Sequence, residues 1–331
     1  MGICAAAARG LGAKVPKIDP AVLKASDFGA AVSTFEKTTP YDEEKRAEAL
    51  KVAQNYIYAM KSSVHYAKLL AAGVAMPAAE EEKVHREHPP LMWYDRAFDK
   101  VLSELKQTVV DGPVPAIWYV YNMGIVVKTR ESAFAVDLCH RKAPLMAPYL
   151  DFIVISHNHG DHYTDALVGA MMAAKKPVIS NFVLCWNWYC KKERTMKFKD
   201  VTIRCMEGDH NPALRDAVLI SEFTIGGGDE KFTLVHSGDC CDYANLKSSV
   251  KNPDMFFGHC AVGLNFITAW QKTMPAKLMV PVHHQELGHL GGRWRCVGFH
   301  EEPRRILNGL RALGANAVMP VWGDRIEPKK I

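Results

Sequence analysis

The stretch Phe152-Ile153-Val154-Ile155-Ser156-His157-Asn158-His159-Gly160-Asp161-His162 sets a short apolar run directly before three imidazoles and a carboxylate. The run reads as a buried strand, and the polar cluster as the loop leaving its end. Structure alone gives little reason for such clustering, because exposed histidines need no company and buried ones each need a partner. Imidazole nitrogen and carboxylate oxygen together suit a divalent cation, zinc first and manganese or iron after it. In an extended turn His157 and His159 project to one side, and Asp161 and His162 follow where the chain bends after Gly160. One such loop can serve two adjacent cations but completes neither site, so other strand ends must supply more donors. Three later residues stand in that context: His210 in Met206-Glu207-Gly208-Asp209-His210-Asn211, Asp239 in Val235-His236-Ser237-Gly238-Asp239, and His283 in Val280-Pro281-Val282-His283-His284.

Outward from this loop, short β-branched or aromatic runs closed by Gly, Asp and Asn continue from Pro115 onward. They predict strands over Ile117–Tyr121, Ile125–Lys128, Ala133–Asp137, Phe152–Ser156, Pro177–Ser180 and Val201–Cys205. Further strands are predicted over Val218–Ile225, Lys231–Ser237, Met255–Phe257, Lys277–Val282 and Ala317–Val321, with Gly226-Gly227-Gly228-Asp229 as a hairpin turn. Helices are predicted over Asp165–Lys175 and Glu302–Leu313. The first third reads as helical instead. Tyr41–Ala72 runs without Gly or Pro and carries Ala49, Val52, Ala53, Tyr56, Ala59 and Met60 on one face. Leu91–Val110 gathers Phe98, Val101, Leu102, Leu105 and Val109 on one side. The expected division is a helical N-terminal extension or cap over 1–115 and a catalytic domain over 116–331.

Composition narrows the function classes. The chain has 331 residues, 48% hydrophobic and 23% charged, which excludes disordered and fibrous classes and predicts a soluble globular protein. Its net charge is +5 without a block of like charges, so a small-molecule substrate is expected rather than nucleic acid or a membrane surface. The longest nearly apolar run, Leu69–Ala79, is broken by Gly73 and Pro77 and falls short of the about 18 residues that span a bilayer. Nine cysteines without a CxxC pair predict reduced thiols. A cytoplasmic location is expected, with the Ala5–Ala8 run as the remnant of a trimmed export signal left open.

The order HxHxDH, then His, then an SGD-type Asp, then His after an apolar strand resembles the metallo-β-lactamase superfamily. In Val235-His236-Ser237-Gly238-Asp239 and Val280-Pro281-Val282-His283-His284 the wording resembles the L-ascorbate-6-phosphate lactonase-like branch of metal-dependent hydrolases. The similarity covers about Ala116–Pro328. His210 stands where that branch tends to carry Asp and restores the commoner superfamily pattern. The resemblance implies an αβ/βα sandwich of two mixed sheets flanked by helices. It also implies one divalent metal on His157, His159 and His210, a second on Asp161, His162 and His283, and Asp239 bridging both. The implied activity is a binuclear hydrolase, lactonase- or phosphodiesterase-like, whose activated hydroxide attacks a small lactone, ester, amide or phosphoester. The alternatives are an iron-dependent oxidoreductase on the same scaffold and a phosphodiesterase or nuclease. In the diiron flavoprotein branch a Glu commonly stands at the position of His159.

Other residues are weighed beside these. Asp161 is expected to orient the nucleophile, and His259, after another strand end, is the first candidate for general acid, with Tyr243 second. His284 is expected to pack or support its neighbour, and Cys240 and Cys241 to be buried thiols. His289 and Arg293 are candidates for contacting an anionic substrate. Trp186, Trp188 and Tyr189 are expected in the core. His65, His85, His88, His140 and His300 receive no role, and a homo-oligomer is left open.

Overall fold

In the computed structural model, which describes residues 23–59, 76–211, 213–260, 269–284, 287 and 301–328, these runs pair into two mixed six-stranded sheets. The first sheet has the order β12 (Arg325–Ile326), β1 (Ala116–Tyr121), β2 (Gly124–Lys128), β3 (Ala133–Val136), β4 (Phe152–Ile155), β5 (Val178–Ser180). The second has the order β11 (Leu278–Val282), β10 (Met255–His259), β9 (Phe232–His236), β8 (Val218–Ile225), β7 (Val201–Gly208), β6 (Arg194–Phe198). The core lies between them: Phe134 of β3 stacks on Phe152 of β4 and on Phe223 of β8, each with ring centroids 4.8 Å apart. Strands such as β1 and β4 are buried on both faces, which is why they read as continuous apolar runs rather than alternating ones.

Strand direction places the loops. β3, β4 and β5 are parallel, as are β9, β10 and β11. β8 is antiparallel to both β7 and β9, so β7 runs the same way as β9. The C-terminal ends of β7, β9, β10 and β11 therefore share one edge. The loop after β4 meets that edge, where the Leu219 backbone N–H donates to the Ser156 carbonyl at 2.7 Å.

Six helices surround the described sheets: α1 (Ala25–Lys37), α2 (Glu43–Ala59), α3 (Ala78–Glu87), α4 (Pro89–Gln107), α5 (Asp165–Ala173) and α6 (Glu301–Ala312). α4 starts on two prolines, whose missing N–H groups would be unbonded there anyway. It packs on β1, burying Phe98, Val101, Leu102 and Leu105. Val109, expected on that face, lies past the helix end and is 77% exposed. Of the helix expected over Tyr41–Ala72, residues 60–72 lie outside the described residues. None of the described helices is long and apolar enough to cross a membrane.

Two strands differ from expectation. Ala317–Val321 is not a strand; it makes only a bridge from Ala317 to Met279. Pro320 lacks a ladder donor, and the chain then turns at Gly323, with φ +84°, to form the two-residue β12 instead. β6 was not anticipated because Arg194-Thr195-Met196-Lys197-Phe198 is an edge strand with mostly polar, partly exposed side chains and no apolar run.

The helical segment is fastened to this last turn by charge as well as packing. Arg46 of α2 and Asp324 form a bidentate pair at 2.6 and 2.8 Å, both buried, and Arg46 also donates to the carbonyls of Phe35 and Thr38. Trp93 of α4 lies between Phe35 and Trp322, with centroids 5.1 and 4.4 Å away. Removing one partner of a buried pair strands the other charge. Arg46→Met should therefore cost about 3–5 kcal/mol of stability in a urea titration; an unchanged midpoint would show that the pair carries no such weight.

Candidate metal centre

Asp239 leaves β9 through Ser237-Gly238, and the glycine is required. Its φ is +50°, and a Cβ there would lie 2.6 Å from both Ser156 Cβ and Val218 Cγ1. The turn delivers the Asp239 carboxylate into a ring of imidazoles. Around its Oδ2 stand His162 Nε2 at 3.3 Å, His283 Nε2 at 3.4 Å, and His157 Nε2 and His210 Nε2 each at 3.7 Å. His159 presents Nδ1 instead, 2.8 Å from His157 Nε2 and 3.3 Å from His210 Nε2. Asp161 Oδ2 lies 3.6 Å from His162 Nε2 and 3.5 Å from His283 Nε2. The mutually close donors group as His157, His159, His210 and Asp239, and as Asp161, His162 and His283, with Asp239 Oδ2 also 3.3 and 3.4 Å from His162 and His283 of the second group.

The spacing can be tested against a cation. A tetrahedral centre with bonds of roughly 2.0–2.1 Å has donor–donor edges of about 3.4 Å. In the first set His159 lies 2.8 and 3.3 Å from His157 and His210, and Asp239 3.7 Å from each of them; in the second, His162 and His283 lie 3.3–3.6 Å from Asp161 and Asp239, close to such edges. His162 Nε2 is buried with no hydrogen-bond partner among the described residues, pointing between the carboxylates rather than at one of them.

Neighbours fix each donor. His162 Nδ1 donates to Asp137 Oδ2 at 2.9 Å, which leaves Nε2 facing the centre. Asp137 is itself held by the Ser156 backbone N–H and hydroxyl, each donating at 2.7 Å. Asn122 Nδ2 donates to Asp161 Oδ2 at 2.9 Å, and the His283 N–H donates to the Asn122 carbonyl at 2.9 Å. Sequence reasoning missed Asp137 and Asn122. The available signal was a polar residue at the end of an apolar strand, Ala133–Val136 for Asp137 and Ala116–Tyr121 for Asn122.

Charge follows from this crowding. Burial opposes it, but Asp239, Asp161 and Asp137 raise the His162 imidazole well above its usual range. His283, also against burial, is raised by Asp239 and Asp161 to about 10. His157, desolvated and beside His162, is lowered well below its usual range, and burial also lowers His159 and His210. Protons therefore collect on the second set, beside two carboxylates.

The remaining expectations divide. His259 lies against the centre, its Nε2 4.0 Å from Asp239 Oδ1. Tyr243 is buried, with its hydroxyl 3.1 Å from Ser237 Oγ and donating to the His259 carbonyl at 3.1 Å; it positions backbone rather than facing a substrate. His284 is buried beside the Tyr119 ring. Burial pushes the Cys240 thiol up to about 11, away from ligating form. Trp186, expected in the core, is 60% exposed on the loop after β5, together with exposed Leu184. Glu81, His85 and Asp95 also converge, but Arg141 already pairs with both carboxylates, which makes this an ion-pair network. His140, without an assigned role, is stacked between Tyr94 and Phe98, and burial pushes it down to about 3. His65, His289, Arg293 and His300 lie outside the described residues.

Comparison with solved structures places this arrangement. Igni18, a metallo hydrolase from the hyperthermophilic archaeon Ignicoccus hospitalis, aligns over 64% of this chain and 97% of its own, with TM-score 0.50 and 14% identity. The metallo-β-lactamase fold protein YhfI from Bacillus subtilis aligns over 64% and 99%, with TM-score 0.45 and 14% identity. The two-sheet α/β sandwich is a backbone fold shared with Igni18. CmlA, a diiron β-hydroxylase from Streptomyces venezuelae, aligns over 64% of this chain and 53% of its own, with TM-score 0.46 and 10% identity. No protein-family model and no curated protein sequence matches the chain. At such identities the likeness lies in the backbone alone, and substrate does not travel with it.

A cation held by the second set would have to displace protons from the raised imidazoles of His162 and His283. Affinity there should rise by about tenfold per pH unit for each proton released, up to the range of the raised imidazoles. Calorimetric titration with zinc in buffers of different ionisation heat reads the proton count, and a pH-independent affinity would contradict it. Asp137→Asn should weaken the same set by about 10–100-fold while the first set holds.

Proposed function

We propose that this protein is a binuclear metal-dependent hydrolase acting on a small lactone, carboxylic ester, amide or phosphoester. The observation that carries this is Asp239 Oδ2 shared between two donor sets whose edges suit divalent ions. When bound, such a pair lowers the pKa of water toward about 7 and polarises a carbonyl or phosphoryl oxygen. His157, His159 and His210 would hold one ion and Asp161, His162 and His283 the other, with Asp239 between. Asp161 is partly exposed and kept in place by Asn122, so it can also accept a proton from, and orient, an attacking water. His159 is exposed and His210 half-buried, which favours substrate approach from the side of the first set.

Leu184 and Trp186 are exposed after β5, and Asn181 Nδ2 donates at 2.9 Å to the carbonyl of Ala217, in the loop that carries His210 and exposed Leu214. Zinc, manganese and iron all remain within the proposed chemistry, as do lactonase-like and phosphodiesterase-like activity.

The test is a panel of lactones, carboxylic esters and phosphodiesters with protein loaded with zinc or manganese, alongside Asp161→Ala and His162→Ala. Each variant should bind one ion fewer or more weakly and lose at least about 100-fold in kcat/KM while keeping its fold. Two bound ions with no water added to any substrate would overturn hydrolysis, and dioxygen uptake by the iron-loaded protein would favour an oxidoreductase instead.

A further inference from the structure

We propose that Cys139 is a positioning residue for the metal-binding loop: its thiol holds the turn at Gly160 so that Asp161 and His162 face the second ion, and α4 of the helical segment fixes where that thiol stands. The assignment rests on the binuclear centre proposed above.

The loop from His157 to His162 has little packing of its own at its tip. Asn158, His159 and Gly160 are exposed, and a Cβ at Gly160 would meet nothing within 4 Å. Its course is set instead by donors to three consecutive carbonyls. That of His159 accepts from the His162 backbone N–H at 3.1 Å, that of Gly160 from the Cys139 thiol at 3.4 Å, and that of Asp161 from Asn122 Nδ2 at 3.2 Å. The first bond closes within the loop, and the other two come from outside it. Cys139 is fully buried and follows β3, two positions after Asp137, which accepts from His162 Nδ1. Cys139 and Asp137 thus grip the loop on either side of Asp161.

Four successive residues, starting with Cys139, are tied to α4. The Cys139 carbonyl accepts from the Tyr94 hydroxyl at 3.2 Å, and the His140 ring lies between Tyr94 and Phe98, with centroids 3.9 and 4.1 Å away. Arg141 Nη2 donates to Asp95 Oδ2 at 2.8 Å, and Lys142 Nζ to Asp99 Oδ2 at 2.9 Å. Positions 94, 95, 98 and 99 recur at the spacing of one helix face. The Lys142 backbone N–H donates to His140 Nδ1 at 3.0 Å, which leaves the proton on Nε2, 3.3 Å from the Tyr94 carbonyl. A strap bonded at every residue moves only with α4. Through one buried thiol, the metal-binding loop therefore rests on the helical segment.

A thiol is a weak donor, so this bond stabilises little by itself. Its effect is on direction, because donors to a metal must stand within about 0.5 Å of their productive geometry. The competing account is that Cys139 is a small buried hydrophobe that only fills space. Serine and alanine have nearly equal volumes and differ in whether a donor is present, so substitution by each separates the two accounts.

The experiment titrates cation-free full-length wild type, Cys139→Ser, Cys139→Ala and Tyr94→Phe with zinc(II) by calorimetry, with thermal melts to verify folding. The ion that His162→Ala weakens or loses identifies the second set. The wild type should bind two ions. In Cys139→Ala the second-set ion should bind at least about tenfold more weakly and the other within about twofold of wild type, while Cys139→Ser should hold both within about twofold. Tyr94→Phe keeps the ring but releases the Cys139 carbonyl, and it should weaken the second-set ion about fivefold. Serine and alanine variants of equal affinity, or an alanine variant that weakens both ions alike, would overturn the proposal in favour of space filling. Should Cys139→Ala not fold, Tyr94→Phe decides, and wild-type affinity for the second-set ion there would overturn it. Fewer than two ions in the wild type would overturn the binuclear reading and this assignment with it, a result that shows before any variant is compared.

Discussion

A carboxylate with 4% of its surface exposed, Asp239, is the group around which this site is arranged. Burial by itself would drive a proton onto it, but His162, His259 and His283 hold its carboxyl well below the usual range. An ionised buried carboxylate needs positive charge close by and hydrogen atoms or cations on its oxygens. Imidazoles approach it from the loops after β4, β7 and β11 and from the end of β10. Those loops can meet because the strands that deliver them run in one direction within each sheet.

Holding donors this close requires backbone that most residues avoid. Asn122, Asp137 and His283 all have positive φ, at 56°, 48° and 68°. Each lies just past the end of a strand, where the chain must turn its side chain into the site rather than continue the ladder. A residue in this left-handed region costs roughly 1–2 kcal/mol, less for Asn and Asp, whose short side chains bond locally. His283 has no such relief, and its backbone N–H is tied to the Asn122 carbonyl. Strain of this kind gathered at one point is what a site built for geometry shows, and it accounts for the rigidity the donors need.

The loop after β4 was legible because four donors fall in six positions after an apolar run. His210, Asp239 and His283 were legible for a related reason, each following a strand. Asp137 and Asn122 were not, because their roles consist of hydrogen bonds across the sheet to residues 25 and 39 positions away. Nothing local distinguishes such an Asp from one that ends a strand and bonds its own turn. The sheets were read well wherever strands were buried on both faces and poorly at their margins. β6 and β12 owe their existence to partners, Val201–Cys205 and Ile117–Trp118, rather than to an apolar pattern of their own.

The two donor sets differ in a way that bears on which ion each would prefer. The first has three imidazoles and a share of one carboxylate, so a dication there keeps much of its charge. The second adds Asp161 and offers two carboxylates, enough to neutralise a dication. Nitrogen-rich sites suit zinc, and oxygen-rich sites suit harder ions. The exposed His159 also puts the less neutralised ion nearer the side from which substrate can arrive. Polarising power should therefore reside mainly in the first set. The second, buried and neutralised, is better suited to holding Asp161 and Asp239 ionised, and through Asp161 to fixing where the attacking oxygen stands.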